Sequence, residues 1–369
     1  MLDQGGIVNG LLESLVHEDG ETGLQVAVYL GSELVIDTWA GLADVGSERL
    51  VDGETLFTAF SISKGITATC VHILVDRGFL DYDAPIAKYW PEFAANGKDK
   101  ATIRDALTHR VGIPHDPPGF DMGMASDWEA VCRATAGLEP LWEPGTNSGY
   151  HALTYGWILG EVLRRVDGRP IARFLQEEVC QPLAIEGMYF GVPATAEHQV
   201  ATLSTAPELG RLDLPLTPSL SDPAGTFNRP EVRRAAIPGA GAIVNARSLA
   251  RHYAMLAGNG ELQGVRLLSQ DRVALAATPE PVSGPDPVLS AITSWQPRWS
   301  LGYTVGGGPG PMQGRPQAFG YEGIGTIGFA DPSRGFAFAF LKNLLDWSPS
   351  EMNSATLVVH AVEQVLGIS

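Results

Sequence analysis

Residues 57–78 read FTAFSISKGITATCVHILVDRG. Apolar side chains at Ile62, Ile66, Val71, Ile73, Leu74 and Val75 recur at helical spacing and Gly78 supplies a stop, so the stretch predicts a buried helix opened by Ser61. Upstream, GLQVAVYLGSELVIDTWAGLAD (23–44) holds two β-rich runs joined by a Gly-Ser turn, the pattern of a hairpin in an antiparallel sheet. Downstream, residues 81–229 alternate helical patterns such as ALTYGWILGEVLRRV with Pro- and Gly-rich connections, HDPPGFDMG and LSDPAGTFNRP among them. A helix around Arg247 to Leu256 comes next, then the strand-like runs WSLGYTV, AFGYEGIGTIGFAD and GFAFAFLKNLL, and a closing helix from Ser350 to Leu366.

Strands at both ends with helices between them predict an α/β (α+β) protein: an antiparallel sheet flanked by helices, built from both termini, with an inserted, mostly helical lobe. The expected division is 1–80 and 230–369 for the α/β lobe and 81–229 for the helical lobe. A crevice between the two is the expected place for a site. GGGPGPMQGRP (306–316) reads as a surface loop.

Composition excludes several classes. Forty-two acidic against 25 basic residues give a net charge of −17, which repels nucleic acid and anionic membrane surfaces, so neither is an expected partner. Cys70, Cys132 and Cys180 are far apart and form no C-x-x-C pair, so a reduced, cytoplasmic compartment is expected, with the three thiols packed in the interior. The first 20 residues lack a basic start followed by a long apolar run, so no secretory signal is expected, and no apolar stretch reaches the ~18 residues of a membrane helix. Eight histidines never form H-x-H-x-D or H-E-x-x-H, so neither a metal nor an organic cofactor is expected.

Ser61 and Lys64 are three residues apart at a helix start, which puts their side chains on one face. A serine hydroxyl becomes a nucleophile when a base takes its proton, and a lysine serves when desolvation lowers its pKa. Phe57, Phe60, Ile62 and Ile66 can supply that desolvation, and the positive end of the helix dipole sits where the serine oxygen would become charged. The bland alternative makes Ser61 an N-cap and Lys64 a solvated surface residue. With 5 lysines and 21 serines in 369 positions, chance gives about 0.3 such pairs, so the match carries weight chiefly through its place at the start of a long apolar helix.

FSISK at the helix start, ALTHRVGIP, WEPGTNSGYHALTYGWILGEVLRRVDG and FGYEGIGTIGFADPSRGFAFAFLKN together resemble the successive signatures of the serine β-lactamase-like superfamily. The likeness spans about residues 20 to 345 and is nearest the class C-like branch of family VIII carboxylesterases, D-aminopeptidase-like enzymes and penicillin-binding-protein homologues. It implies a β-lactamase/transpeptidase-like fold with Ser61 as nucleophile and Lys64 as its base. The branch's Tyr-x-Asn motif falls on Tyr150-His151-Ala152 after Pro144-Gly145-Thr146, which implies Tyr150 as general base or proton shuttle, its phenolate favoured by the Lys64 ammonium, although Ala152 replaces the asparagine. From the residues alone Tyr150 reads equally as a core aromatic.

The third motif, Lys-Thr-Gly or its esterase variants, falls on Tyr321-Glu322-Gly323 and keeps only the glycine. Its strand implies an oxyanion hole made by the backbone N–H groups of Ser61 and Ile324, with Tyr321, Glu322, Gly323 and His151 beside the substrate. His109 is expected to organise its loop. The resemblance implies an esterase acting on small neutral esters through an acyl-enzyme. The alternatives are a β-lactamase or D-amino-acid peptidase/amidase and, outside enzymes, an inactive binding protein of the same fold; the oligomeric state is left open. Gly323-Ile324-Gly325-Thr326-Ile327-Gly328 satisfies G-x-G-x-x-G, but a turn and a strand follow it where a dinucleotide site needs a helix. No G-x-S-x-G elbow is present.

Overall fold

A computed structural model describes residues 4–207, 214, 216–281, 284–291, 296–308, 310–346 and 353–368. Its main sheet has seven antiparallel strands: β1 (Gly23–Leu30), β2 (Glu33–Asp44), β3 (Arg49–Leu50), β4 (Thr304–Val305), β5 (Phe319–Glu322), β6 (Ile327–Asp331) and β7 (Phe336–Lys342). The spatial order is β4-β5-β6-β7-β1-β2-β3, so the first strand pairs with the last, Leu24 opposite Lys342 through Leu30 opposite Phe336. The sheet is built from both ends of the chain, as expected, and β1–β2 is the expected hairpin.

Alternation along β7 decides what each face receives. Phe336, Phe338 and Phe340 join Leu24, Val26, Val28, Ile327 and Phe329 on one face, covered by helices α1 (Gln4–His17) and α5 (Ser354–Leu366). Ala337, Ala339, Leu341, Ala27 and Phe319 lie on the other, against α2 (Ile62–Asp76) and α4 (Ala246–Ala257). The small residues on that second face let the helices come close: a Cβ on Gly328 would stand 2.4 Å from the Tyr253 ring of α4.

The start of α2 is fixed by a second, three-stranded sheet in which Ala242–Val244 pairs with both Phe57–Thr58 and Met188–Phe190. The Ala59 N–H donates to the Ala242 carbonyl at 2.8 Å and the Ala242 N–H donates to the Ser63 hydroxyl at 2.8 Å. Helix α3 (Thr154–Asp167) packs on α2, and the chain at 238–241 threads between them. Glycine is needed there, because a Cβ on Gly156 would meet the Gly239 nitrogen at 2.1 Å and one on Gly239 would meet the Ala152 carbonyl at 2.8 Å. The stretch 81–229 is chiefly helical, with two short strands that pair outside it, Met188–Phe190 and Ser204–Thr205.

Some local expectations need revision. Helix α5 begins at Ser354; residues 350–352 lie outside the described residues. The 306–316 segment is not simply a surface loop, since Met312 enters the phenylalanine-rich core and Arg315, 3% exposed, pairs with Asp331 at 3.5 Å and with Glu363. The Gly323–Gly328 pattern covers the β5–β6 turn and the first two residues of β6. Cys70, Cys132 and Cys180 are free and buried, and burial pushes their thiols up. Among the described residues no helix is long and apolar enough to cross a membrane.

Candidate active site

Ser61 stands at the N-cap of α2 but makes no capping hydrogen bond. Its hydroxyl points instead to the Tyr150 hydroxyl at 2.5 Å and to Lys64 Nζ at 3.3 Å. Phe60, just before it, takes the left-handed conformation (φ 47°), which costs a non-glycine residue about 1–3 kcal/mol and persists only where surrounding structure holds it. Here the holding contacts are a β-bridge to Gly241 and an edge-on ring contact with Phe227 at 5.3 Å.

Lys64 is not a solvated surface residue. It is 0% exposed, donates to the Gly239 carbonyl at 2.6 Å, and lies 4.6 Å from the centre of the Tyr150 ring. Burial holds its pKa well below the usual lysine value, which favours the neutral amine over the ammonium. The Tyr150 phenol is pushed up by burial, with the nearby Asp286 carboxylate adding to the rise and hydrogen bonds from Ser61 and Tyr321 opposing it. Burial thus biases both groups toward their uncharged forms, against the expected ammonium–phenolate pair, more strongly at the fully buried Lys64 than at the half-buried Tyr150.

The third-motif strand closes on the nucleophile through backbone. A Cβ on Gly323 would stand 2.8 Å from the Ala59 carbonyl and 3.1 Å from the Phe60 Cβ, so only glycine admits this approach. Thr326 Oγ1 reaches the same Ala59 carbonyl at 3.5 Å. Among the described residues neither the Ser61 nor the Ile324 N–H has a hydrogen-bond partner, and the two belong to the segments that Gly323 brings together.

Tyr321 and His151 do not line a cleft. Tyr321 is 3% exposed and its hydroxyl bonds to His109 Nε2 at 2.9 Å. His151 is 1% exposed; its Nε2 accepts from the Ile113 N–H at 3.0 Å and its Nδ1–H donates to the Gly149 carbonyl at 2.6 Å, so both nitrogens hold backbone. Burial pushes its pKa down to about 3. Glu322 is half-buried at the end of β5, and burial pushes its carboxyl up to about 7. Arg315 is spent on Asp331 and Glu363, and among the described residues Glu322 has no ion-pair partner.

Three contributors to the site are not expected from the sequence: the Gly239 carbonyl on Lys64, Trp299 stacked on Tyr150 (5.9 Å, 10° between planes), and the part His109 plays behind Tyr321. The small-residue run PGAGA (238–242) marks the close approach of the first, and nothing local marks the other two.

A family model described as Beta-lactamase matches residues 8–363. The chain belongs to the β-lactamase family. It is 32% identical over 342 residues to the Esterase/beta-lactamase LipL of Mycobacterium tuberculosis (strain ATCC 25618 / H37Rv), covering 87% of this chain and 76% of that protein. Among solved structures it is similar to a family VIII carboxylesterase, with TM-score 0.87, 31% identity and coverage of 98% of this chain and 97% of the other. It is likewise similar to a penicillin-binding protein homologue from Caulobacter crescentus, with TM-score 0.83, 31% identity and coverage of 99% and 97%. These likenesses run through the whole β-lactamase-family fold, the antiparallel sheet and its helices together.

Proposed function

We propose that this member of the β-lactamase family is a serine esterase that cleaves small neutral esters through an acyl-enzyme on Ser61. The observation that carries the reading is the Ser61 hydroxyl held between the Tyr150 hydroxyl at 2.5 Å and a fully buried Lys64 at 3.3 Å. The carboxylesterase likeness supports the ester as substrate, and the half-buried Glu322 carboxyl at the end of β5 disfavours an anionic one.

In the first half-reaction Lys64 takes the Ser61 proton as Oγ bonds to the ester carbonyl carbon. The oxyanion that forms is received by the N–H groups of Ser61 and Ile324, reinforced by the positive end of α2. Collapse breaks the bond to the leaving alkoxide, which takes the Tyr150 proton, and the Lys64 ammonium restores that proton to Tyr150. Water then attacks the acyl-enzyme with its proton passing to the same pair, and Ser61 recovers its hydrogen as the acid leaves. An alcohol or amine in place of water gives acyl transfer by the same steps.

A β-lactamase or amidase reading keeps the same residues and differs in substrate, and the name of the Mycobacterium tuberculosis relative carries both activities. An inactive binding protein has no use for a desolvated lysine beside a serine hydroxyl. The test is parallel turnover of neutral p-nitrophenyl esters of rising acyl length, a penicillin and a D-amino-acid amide. Ester hydrolysis exceeding the other two activities is the expected result; a larger kcat/KM for the penicillin or the amide overturns the assignment of substrate.

A further inference from the structure

The Tyr150 hydroxyl has a second polar neighbour, and the bonds behind it run in one direction. The Tyr150 hydroxyl meets Ser61 at 2.5 Å, while the Tyr150 and Tyr321 rings flank the same Trp299 indole, at 5.9 and 6.0 Å, and the same Lys64 Nζ, at 4.6 and 5.8 Å, which sets the Tyr321 hydroxyl close enough to act on the Tyr150 phenol. The Tyr321 hydroxyl in turn meets His109 Nε2 at 2.9 Å. His109 Nδ1 accepts the His151 N–H at 3.1 Å, so the ring proton is on Nε2 and is donated to the Tyr321 oxygen. That ring is completely buried, its backbone takes the left-handed conformation (φ 60°), and the rings of Trp299 at 4.4 Å, Tyr150 at 4.9 Å and Tyr155 at 5.2 Å clamp it. The titratable groups around it are Tyr150, His151, Tyr155, Tyr321 and Lys64.

We propose that His109 and Tyr321 are positioning residues for Tyr150, a neutral donor chain that fixes which way its hydroxyl proton points and receives the phenolate when that proton leaves. With its oxygen filled by His109, Tyr321 has its own O–H free for the Tyr150 oxygen. Tyr150 is then left with its proton aimed at Ser61. When Tyr150 protonates the leaving alkoxide, a charge appears on a half-buried phenol, and Tyr321 is already placed to bind it. Burial holds His109 well below the usual histidine range, so the chain keeps its direction without acquiring a charge. The tyrosine of the Tyr-Glu-Gly motif thus has a task inside the wall, behind the reacting atoms.

The proposal rests on the Ser61 esterase reading, and wild-type turnover together with labelling of Ser61 by a fluorophosphonate tests that reading before any variant is made. The experiment compares kcat/KM for two acetate esters, one of p-nitrophenol and one of a simple alkyl alcohol, in wild type, Tyr321→Phe, His109→Gln and the double variant. The alkyl alkoxide needs a proton to leave and nitrophenolate does not. Loss of a hydrogen bond to a developing charge therefore lowers kcat/KM for the alkyl ester by about 10- to 100-fold and that for the nitrophenyl ester by about threefold or less. Because His109 acts through Tyr321, His109→Gln should add nothing in the Tyr321→Phe background. Equal losses on both esters, or additive losses in the double variant, overturn the proposal. Should Tyr321→Phe fail to fold, the same pair of esters on His109→Gln decides: a selective alkyl-ester loss supports the chain and an equal loss overturns it.

Discussion

Two walls meet at Ser61, and they serve the proposed reaction by different means. The α2 wall brings side chains: Ser61 and Lys64 are one helical turn apart, and their meeting is set by local geometry and by burial. The β5 wall brings backbone: Gly323 presses against Ala59 and Phe60, the two residues before the nucleophile, and Tyr321, two residues earlier, bonds inward to His109. The first wall depends on which residues are present. The second depends on how closely two segments can pack, and Tyr-Glu-Gly in place of Lys-Thr-Gly keeps the glycine that permits the approach.

The contrast breaks most sharply on the α2 side. Ser61→Ala and Lys64→Ala should each lower kcat/KM for a neutral ester by roughly 10³-fold or more, and the double variant should be barely worse than either alone, because nucleophile and base act as a unit. Additive losses in steady-state assays would divide the pair. Tyr150→Phe removes one hydroxyl and should slow turnover by roughly 10²- to 10⁴-fold with the thermal midpoint unchanged. A near wild-type rate returns Tyr150 to the role of a core aromatic.

On the β5 side the breaking change is one methyl group. Gly323→Ala places a Cβ against the Ala59 carbonyl and should cost about 1–3 kcal/mol of stability in denaturant titration. Turnover should fall with it, as the Ile324 N–H is displaced from Ser61, by about 10²-fold for the loss of one oxyanion donor. Full activity in a stable Gly323→Ala protein removes Ile324 from the oxyanion hole.

The smallest effect belongs to Glu322. Its folded carboxyl keeps its proton up to about 7 whereas an unperturbed glutamate releases it near 4.5, so the ionised form is disfavoured by folding. The contribution of Glu322 to stability should therefore fall as pH rises from about 4.5 to about 7 and level off above, read as the difference in unfolding free energy between wild type and Glu322→Gln across that window. If the same carboxylate meets the substrate, preference for a neutral ester over its carboxylate analogue grows as pH passes 7 in wild type, by about fivefold, and does not in Glu322→Gln. Identical pH profiles of selectivity in the two proteins detach Glu322 from specificity.

Legibility in the sequence follows the same division. The Ser61–Lys64 pair, the β1–β2 hairpin and the alternating β7 were readable because helical and strand periodicity are local. The resemblance to successive family motifs added Tyr150, whose contact with Ser61 joins residues 89 apart. What escaped is long-range and without period: the Lys64–Gly239 bond spans 175 residues and the His109–Tyr321 bond 212. His151 misled because it follows Tyr150 in the chain, whereas its ring is turned into the wall to hold the Ile113 and Gly149 backbone. The burial of Lys64, which biases it toward the neutral amine, escaped as well, since composition does not say that this lysine has no exposed surface.

The central claim is that a desolvated Lys64 makes Ser61 a nucleophile, and covalent labelling measures this most directly. Wild type, Ser61→Ala and Lys64→Ala are treated with a fluorophosphonate, and the adduct is timed by intact mass and located by peptide mapping. A single adduct on Ser61 in wild type, none in Ser61→Ala and strongly slowed labelling in Lys64→Ala is the predicted result. Adduct on another serine, or labelling of Lys64→Ala at the wild-type rate, would contradict it.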